Sequence, residues 1–188
     1  WTVLEARGSL GTLDRAARTR TAGEFLSATE GFGAPAQNML VADRAGTIAI
    51  RATGWFPLRP GGRGDLVQLG DRSDGDWQGR WPLSRLEARH PAQGYLASAN
   101  QQPLDPRVDS TYLGADWYSP WRAVRINQLL QADSALTPDD MRRFQTDPGS
   151  PAADLFVPAF LAAASRVPGQ PELSEAARLL AQWDRRYE

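Results

Sequence analysis

The side chains that most often carry catalysis are scarce in this chain. Its 188 residues include one His and no Cys, and all 21 basic residues are Arg. The chain therefore has no thiolate nucleophile, no cysteine-ligated metal and no lysine for a Schiff base. The single histidine, His90, precedes Pro91 in a polar segment that offers neither a nucleophile nor an orienting carboxylate beside it. A Ser-His-Asp relay would depend on this residue alone, and we interpret it as a surface or loop-anchoring histidine.

Asn100 is the residue whose position suggests a role in catalysis. It ends a predicted strand, residues 94–100, that is rich in small side chains, and it precedes Gln101, Gln102 and Pro103. A carboxamide held at a strand end can donate an N–H to a developing oxyanion. Asparagine is also a common turn residue at strand ends, so the residue type alone leaves both roles open.

Two further patterns resemble binding motifs. Arg63, Gly64 and Asp65 spell the tripeptide that integrins recognise, but they lie in a glycine-rich segment where such a match arises by chance. The closely spaced acids of residues 71–76 lack the Glu at the twelfth position that an EF-hand loop requires. Both segments are interpreted as solvated loops.

Large aromatic side chains are concentrated in the middle of the chain. In a row they would offer a platform for stacking carbohydrates, although such residues more often pack in a core because each removes a large apolar area from water. A non-catalytic ligand-binding or interaction domain is therefore the alternative function. The residues concerned are Trp55, Trp77, Trp81, Trp117, Tyr118 and Trp121.

Composition and charge exclude several classes of partner. The net charge is −1, and no basic stripe accumulates that would provide an electrostatic footprint for nucleic acid. The longest apolar stretch, residues 155–164, is interrupted by Pro158 and is far shorter than the roughly 20 residues that span a bilayer. A hydrophobic content of 41% predicts an ordinary folded domain rather than a disordered chain.

The elements that must position Asn100 are predicted to be mixed. The first thirty residues have a helical pattern, with a capping box from Thr21 to Glu24. A hairpin follows, with strands at residues 38–43 and 47–53 around a turn that contains Gly46. Residues 57–93 are rich in Gly, Pro and Asp, which predicts long ordered loops with one short strand at residues 66–69.

The remainder of the chain is predicted to be helical. Three helices open on a polar cap followed by proline, at Ser119-Pro120, Thr137-Pro138 and Ser150-Pro151. A fourth begins at Pro171 and continues to the end of the chain. The fold class is therefore α+β, with a mixed part in residues 1–118 and a helical part in residues 119–188.

Several segments together resemble the penicillin acylase (penicillin amidase) family. They occur in the family's order and spacing over nearly the whole chain, and this agreement is more specific than any one motif. Residues 37–48 resemble its Asn-x-x-x-Ala-Asp-x-x-Gly-x-Ile hairpin, 75–79 its Trp-x-Gly loop and 98–103 its Ala-Asn-Asn-x-Pro strand end. Residues 114–117, 121–126 and 136–141 follow in the same order.

The resemblance implies an N-terminal-nucleophile hydrolase with an αββα layered fold. In such enzymes a precursor cleaves itself so that a Ser becomes the first residue of the β chain. Its hydroxyl attacks an amide carbonyl with its own α-amino group as base, and the acyl-enzyme is then hydrolysed. No cofactor is required, nor any His, Cys or Lys. Trp1 resembles the interior of the β chain. Residues 1–188 are therefore expected to be a single β-chain fragment that lacks the nucleophile and is inactive alone.

The same resemblance assigns roles to four residues of this sequence. Asn100 matches the residue whose side chain forms the oxyanion hole, although Gln101 replaces the second Asn of the motif. Arg122 matches an arginine that orders the active site and meets substrate. Gln37 and Asn38 lie where the family binds substrate.

A structural calcium and further partners are also implied. The family often holds calcium at the chain interface, but the aligned position here is Thr111, with Asp109 nearby as the candidate ligand. That departure argues against a complete calcium site. The expected partners are an acylase α chain, the rest of the β chain and a small N-acyl amide such as a penicillin, a cephalosporin side chain or an acyl-homoserine lactone. Bare strand edges are expected to favour self-association. The family is usually exported, which implies a periplasmic or secreted protein.

Overall fold

The computed structural model describes residues 9–61 and 63–187. The chain divides into two compact units, Trp1–Tyr118 and Ser119–Glu188. The helical prediction for residues 1–8 lies outside the described residues. No helix in the described part of the chain is both long enough and apolar enough to cross a membrane.

The first unit combines two helices with a small antiparallel sheet. The three strands lie in the order β1-β2-β3, with Leu40 opposite Ile50 and Arg51 opposite Glu87. This confirms the predicted hairpin and, with the helices, the α+β class. The elements are α1 (Ser9–Ala17), α2 (Ala22–Thr29), β1 (Gln37–Ala42), β2 (Ile48–Thr53), a 3₁₀ turn (Leu83–Leu86) and β3 (Glu87–Arg89).

One carboxylate joins the hairpin turn to a helix. Asp43 Oδ1 accepts the backbone N–H groups of Ala45 and Thr47, both at 3.0 Å, and Oδ2 accepts that of Ala22 at 3.0 Å. Gly46 completes the turn at φ 85°, a conformation that suits glycine. The hydrogen bond from Ala22, followed by that from Thr47, lowers the pKa of Asp43. Asp43 therefore fixes the position of α2 relative to β1 and β2.

The N-terminus of α2 is formed as predicted. Thr21 Oγ1 accepts the Glu24 N–H at 3.2 Å, and the Glu24 carboxylate accepts the Thr21 N–H at 3.2 Å. This reciprocal pair is the predicted capping box, and it satisfies two N–H groups that the helix itself leaves unbonded. Leu26, one turn later, is only 1% exposed.

The core beneath the sheet is built from β2 and the loops that follow it. Ala52, Phe56 and Leu86 form a buried cluster. Four half-buried side chains pack against this cluster: Trp81, Leu83, Leu104 and Leu113. Trp81 is thus a packing residue, and the loop that carries Leu104 is attached to the same core.

Two of the predicted strands are wrong. Residues 66–69 and 94–100 form no ladder, and Val67 is 99% exposed. In the first segment Gln68 turns its side chain back onto the carbonyls of Arg63 and Leu66, which holds a local loop rather than an extended strand. β3 was not predicted, because it is short and two of its three residues are charged. Its pairing depends on Arg51, which lies in a distant part of the sequence.

The second unit is helical, as predicted. It comprises α3 (Trp121–Gln131), α4 (Pro138–Gln145), α5 (Pro151–Ala164) and α6 (Pro171–Gln182). Thr137 forms a capping box with Asp140, and Ser150 Oγ accepts the Ala153 N–H at 3.2 Å. Arg125 of α3 donates two hydrogen bonds to the carboxylate of Asp147, at 2.6 and 2.9 Å.

Two details of the second unit differ from the prediction. Pro120, rather than Ser119, is the N-cap of α3, and no side chain caps that helix. α6 ends at Gln182 instead of continuing to the end of the chain. After it, the Tyr187 N–H donates to the Pro148 carbonyl at 2.9 Å, which draws the chain back toward the start of α5.

Candidate functional site

A cleft of about 310 Å³ opens beside the sheet in the first unit. Its walls come from β1, β2, β3, the 3₁₀ turn and the loop of residues 97–104. The lining residues are Asn38, Ile50, Ala52, Arg85, Leu86, Glu87, Ala88, Ala97, Ser98, Gln101, Gln102, Pro103 and Leu104. The cleft thus combines an apolar floor from the strands with amides and a hydroxyl from β1 and the loop.

Asn38 connects the sheet to the loop that carries Asn100. Its Nδ2 donates to Ser98 Oγ at 2.7 Å across 60 positions of sequence. The structure therefore brings together Asn38 and the loop that follows Tyr95, two of the segments that the sequence marked for substrate binding and oxyanion stabilisation.

Asn100 lies on a tight turn of the loop that lines this cleft, between the lining residues Ser98 and Gln101. Its φ is 61°, a left-handed conformation that Asn adopts more readily than most residues. The side chain of Gln101 fixes the turn, since its Oε1 accepts the Ala99 N–H at 2.6 Å and its Nε2 donates to the Ala97 carbonyl at 3.5 Å. Ala99 is 4% exposed, whereas Asn100 itself is exposed and is not among the lining residues. The geometry explains why Asn suits this position, and its catalytic role stays a prediction.

The other two predicted site residues lie away from the cleft lining. Gln37 is exposed at the start of β1, where its carbonyl accepts the Thr53 hydroxyl at 2.9 Å. Arg122 belongs to the second unit and is exposed on the first turn of α3. The first unit alone thus assembles Asn38 and the Asn100 loop, and the roles of Gln37 and Arg122 stay predictions.

Asp109 is already paired with a cation from the chain. Its Oδ2 accepts Arg85 Nη2 at 2.9 Å, its Oδ1 accepts the Thr111 N–H at 2.9 Å, and Arg85 Nη2 also donates to Thr111 Oγ1 at 2.9 Å. The hydrogen bonds from Thr111, and then that from Arg85, lower the pKa of Asp109.

The groups around Asp109 do not fit a calcium site, because calcium takes six to eight oxygen ligands. Within residues 9–61 and 63–187, no group of three or more His, Cys, Asp or Glu side chains is placed to hold a metal ion. At Asp109 the carboxylate oxygens of a single acid are engaged by Arg85 and Thr111.

His90 serves as a loop anchor, in line with its sequence context. It is exposed at φ 41°, and its backbone N–H donates to the Ile48 carbonyl at 3.1 Å. Arg63 and Asp65 bind each other through bonds of 3.0 and 2.7 Å, so the tripeptide folds onto itself.

Three tryptophans of the middle segment each face an arginine. The guanidinium carbon lies 3.7 Å from the ring centroid for Arg80 and Trp55, 5.4 Å for Arg59 and Trp77, and 5.0 Å for Arg85 and Trp81. These cation–π pairs tie loop segments together. They occupy one face of each ring, which argues against a stacking platform for carbohydrates.

Arg85, Ser98 and Glu87 are the cleft residues that sequence reasoning missed. Their partners are Asp109, Asn38 and Arg51, which lie 24, 60 and 36 positions away. A local sequence pattern does not indicate such pairs, because only the folded chain brings the partners together. For Ser98 the one available signal was its place in the motif of residues 98–103.

Comparison with known proteins places the chain in a family. The model of the family described as penicillin amidase matches residues 1–188. An acyl-homoserine lactone acylase from Pseudomonas aeruginosa is 34% identical over 69% of this chain and 15% of its own length. A penicillin acylase 2 proenzyme from a Pseudomonas species is 30% identical over 79% of this chain and 19% of its own length.

A solved structure agrees with the family. A thermostable penicillin G acylase from Alcaligenes faecalis has a TM-score of 0.71 and 22% identity over 96% of this chain and 33% of that chain. This likeness confirms that the chain has the fold of a penicillin acylase, as the family resemblance implies. The chain spans less than a fifth of the length of the two curated relatives. The match over all 188 residues shows that this chain belongs to the penicillin amidase family.

Proposed function

We propose that this chain forms part of an amide hydrolase that cleaves a small N-acyl amide through an acyl-enzyme. The nucleophile in this proposal is an N-terminal Ser of a longer protein, and Asn100 donates a hydrogen bond to the oxyanion that forms when Ser attacks the amide carbonyl. Family membership supports amide hydrolysis as the reaction class. The roles of Ser and Asn100 are our inference.

The observation that carries the proposal is the fixed turn at Asn100 beside a polar cleft. An oxyanion donor must be held in place before the reaction, because reorganisation of the donor would cost part of the stabilisation. Gln101 holds the turn through hydrogen bonds with the Ala97 carbonyl and the Ala99 N–H, and the Asn38–Ser98 hydrogen bond holds the loop against β1. The carboxamide of residue 100 is therefore presented from a rigid backbone.

The cleft itself supports a small substrate. Its volume of about 310 Å³ lies at the lower end of the range typical for small-molecule sites. The relatives are named for two kinds of acyl compound, acyl-homoserine lactones and penicillins. We propose that the substrate is an N-acyl amide of one of these classes, with Asn38 among the groups that contact it, Gln37 beside it and Arg122 ordering the active site.

We further propose that the chain works together with an acylase α chain and the remainder of a β chain, in the periplasm or outside the cell. Within the described residues β1 pairs on one edge only, and Leu40 is 43% exposed on it. An open strand edge with apolar side chains is a template for another strand. A strand from the remainder of the protein is the partner that this edge suits.

The test of the proposed reaction uses the full-length protein. We expect it to release the free amine from N-acyl-homoserine lactones or from penicillin G, while the 188-residue chain alone releases none, because the proposed nucleophile belongs to the longer protein. Replacement of the N-terminal Ser by Ala is the matched control, and it should abolish release. Turnover by the isolated chain, or by the Ser variant, would show that the proposed nucleophile is wrong.

The open edge gives a separate prediction. Light scattering on the isolated chain at increasing concentration should show dimers or larger species, because β1 then has only another copy to pair with. Replacing Leu40 by Lys, which places a charge on the edge strand, should shift the population toward monomer. A monodisperse monomer for the unmodified chain at all concentrations would contradict the expectation.

A further inference from the structure

The family resemblance implies calcium at the position of Thr111, with Asp109 nearby as the candidate ligand. Arg85 reaches across from the 3₁₀ turn to bind both residues. One guanidinium nitrogen, Nη2, is 2.9 Å from Asp109 Oδ2 and 2.9 Å from Thr111 Oγ1. The Thr111 N–H closes the ring by donating to Asp109 Oδ1 at 2.9 Å.

The arginine is held in this position by its own surroundings. Its guanidinium carbon lies 5.0 Å from the ring centroid of Trp81, and Trp81 packs against the core cluster of Ala52, Phe56 and Leu86. The side chains of Arg85 and Asp109 are 42% and 31% exposed, so the pair is partly shielded from water.

The arginine also links this loop to the candidate site. Arg85 lines the cleft beside Asn38 and Gln101, and it lines a second cleft, of about 390 Å³, whose wall includes Asp109 and Thr111. The loop of residues 105–111 is therefore tied to the cleft wall through one side chain. A bound divalent cation would play the same part by drawing oxygen ligands from separate segments together.

We infer that Arg85 replaces the family's calcium. Its guanidinium supplies the positive charge that holds the Asp109–Thr111 loop against the rest of the unit. Three features carry the inference. Arg85 binds both residues at the position where the resemblance implies calcium, it neutralises the carboxylate of Asp109, and it lies over Trp81, which packs against the core cluster. Arg85 acts as a positioning residue in this arrangement.

Thermal unfolding tests the inference without reference to hydrolysis, so its result is independent of the proposed function. The melting temperature of the full-length protein, which contains the chain interface, should change by less than about 1 °C on addition of 10 mM calcium chloride or of EDTA. Replacing Arg85 by Met in the 188-residue chain should lower the melting temperature of that chain by roughly 4 °C. Arg85→Lys should retain more of the melting temperature than Arg85→Gln, because Lys keeps the charge whereas Gln keeps only a hydrogen-bond donor.

A matched control is available on an exposed loop of the same unit. Arg72 pairs with Asp74 at 2.7 Å, and the two side chains are 61% and 48% exposed. Arg72→Met makes the same change in charge and size, and it should lower the melting temperature by about 1 °C or less. A rise of several degrees for the full-length protein in calcium, a loss for Arg85→Met no larger than that for Arg72→Met, or better retention by Gln than by Lys would each overturn the inference.

Discussion

Replacing Asn100 by Gly in the full-length protein is expected to lower kcat by roughly 10²–10³-fold, the usual cost of losing one oxyanion-hole donor. The side chain carries the N–H that we assign to the oxyanion, and nothing else in the variant replaces it. KM should change little, because the lost hydrogen bond is strongest in the transition state. Steady-state kinetics with the substrate identified for the full-length protein provides the measurement.

The choice of Gly separates chemistry from backbone strain. At φ 61° an Ala would disfavour the turn itself, whereas Gly adopts this conformation without penalty. Asn100→Asp is a second probe, since Asp also tolerates the left-handed region but has no N–H to donate. Both variants should melt within about 2 °C of the unmodified protein, because residue 100 is exposed.

A control from the same region is Gln93→Ala. Gln93 is an exposed carboxamide that donates to the Tyr95 carbonyl at 3.0 Å and lies outside the cleft lining. Its loss should leave kcat unchanged. The oxyanion role of Asn100 would be wrong if Asn100→Gly retained kcat within a factor of two of the unmodified enzyme.

Local signals account for the parts of the fold that the sequence could predict. The hairpin follows from β-branched strands and the Asp43–Gly46 turn, whose hydrogen bonds within the hairpin each span at most four residues. The capping boxes at Thr21 and Thr137 are equally local, because an N-cap and the third residue of its helix meet wherever the helix forms. Such features depend little on the rest of the chain.

Two of the errors in the predicted fold have a different cause. Residues 94–100 have the small and apolar side chains of a strand, yet their place is set by Asn38 and by Gln101, whose side chains bond to the loop instead of extending a ladder. β3 is the opposite case. Its sequence is a poor one for a strand, but the pairing of Glu87 with Arg51 holds it in the sheet. In both cases a tertiary contact outweighs local preference.

The residues of the candidate site show the same difference between local and long-range signals. Asn38 and Asn100 were found because they belong to recognisable motifs, and the structure brings their segments to one cleft. Arg85 belongs to no motif, and its partners Asp109 and Thr111 lie 24 and 26 positions away. Only the folded chain reveals that a cation of the protein lies where the family resemblance placed a metal.

The second large effect is expected at the buried ion pair of Arg51 and Glu87. Arg51 is 5% exposed, donates from Nε to Glu87 Oε2 at 2.7 Å and forms a second bond to the same carboxylate from Nη2. Its Nη1 donates to the Leu26 carbonyl at 2.6 Å. One guanidinium thus joins β2, β3 and α2.

Replacing Arg51 by Met should lower the free energy of unfolding by about 3 kcal/mol, since it leaves a largely buried carboxylate without one of its two arginine partners. Arg89 also binds Glu87, which keeps the expected loss at the lower end of the range for buried pairs. Urea unfolding at pH 7 measures the change. Arg18→Met is the matched control, because Arg18 pairs with Asp14 on the surface and its loss should cost less than about 1 kcal/mol.

The same pair predicts a dependence on pH. Burial alone would raise the pKa of Glu87, but the hydrogen bonds from Arg89 and Arg51 outweigh it and lower the pKa below its ordinary 4.5. A carboxyl group with a lowered pKa stabilises the fold above its unfolded pKa, and this stabilisation is lost as the pH falls through the folded value. The free energy of unfolding of the unmodified chain should therefore fall below about pH 4.5. That of Arg51→Met should fall by a smaller amount over the same pH range.

The difference in unfolding free energy between the unmodified chain and Arg51→Met should accordingly shrink as the pH falls from 7 to 3. The double variant Arg51→Met with Glu87→Gln also removes the carboxylate charge and should be more stable at pH 7 than Arg51→Met alone, because a largely buried carboxylate is then no longer left with the half-exposed Arg89 as its remaining counter-charge. If the double variant is the less stable of the two at pH 7, or if the difference stays constant with pH, then packing rather than charge pairing holds these elements together. The expected result instead means that one buried guanidinium, that of Arg51, holds β2, β3 and α2 together. Residues of β2 and β3 also form part of the cleft wall.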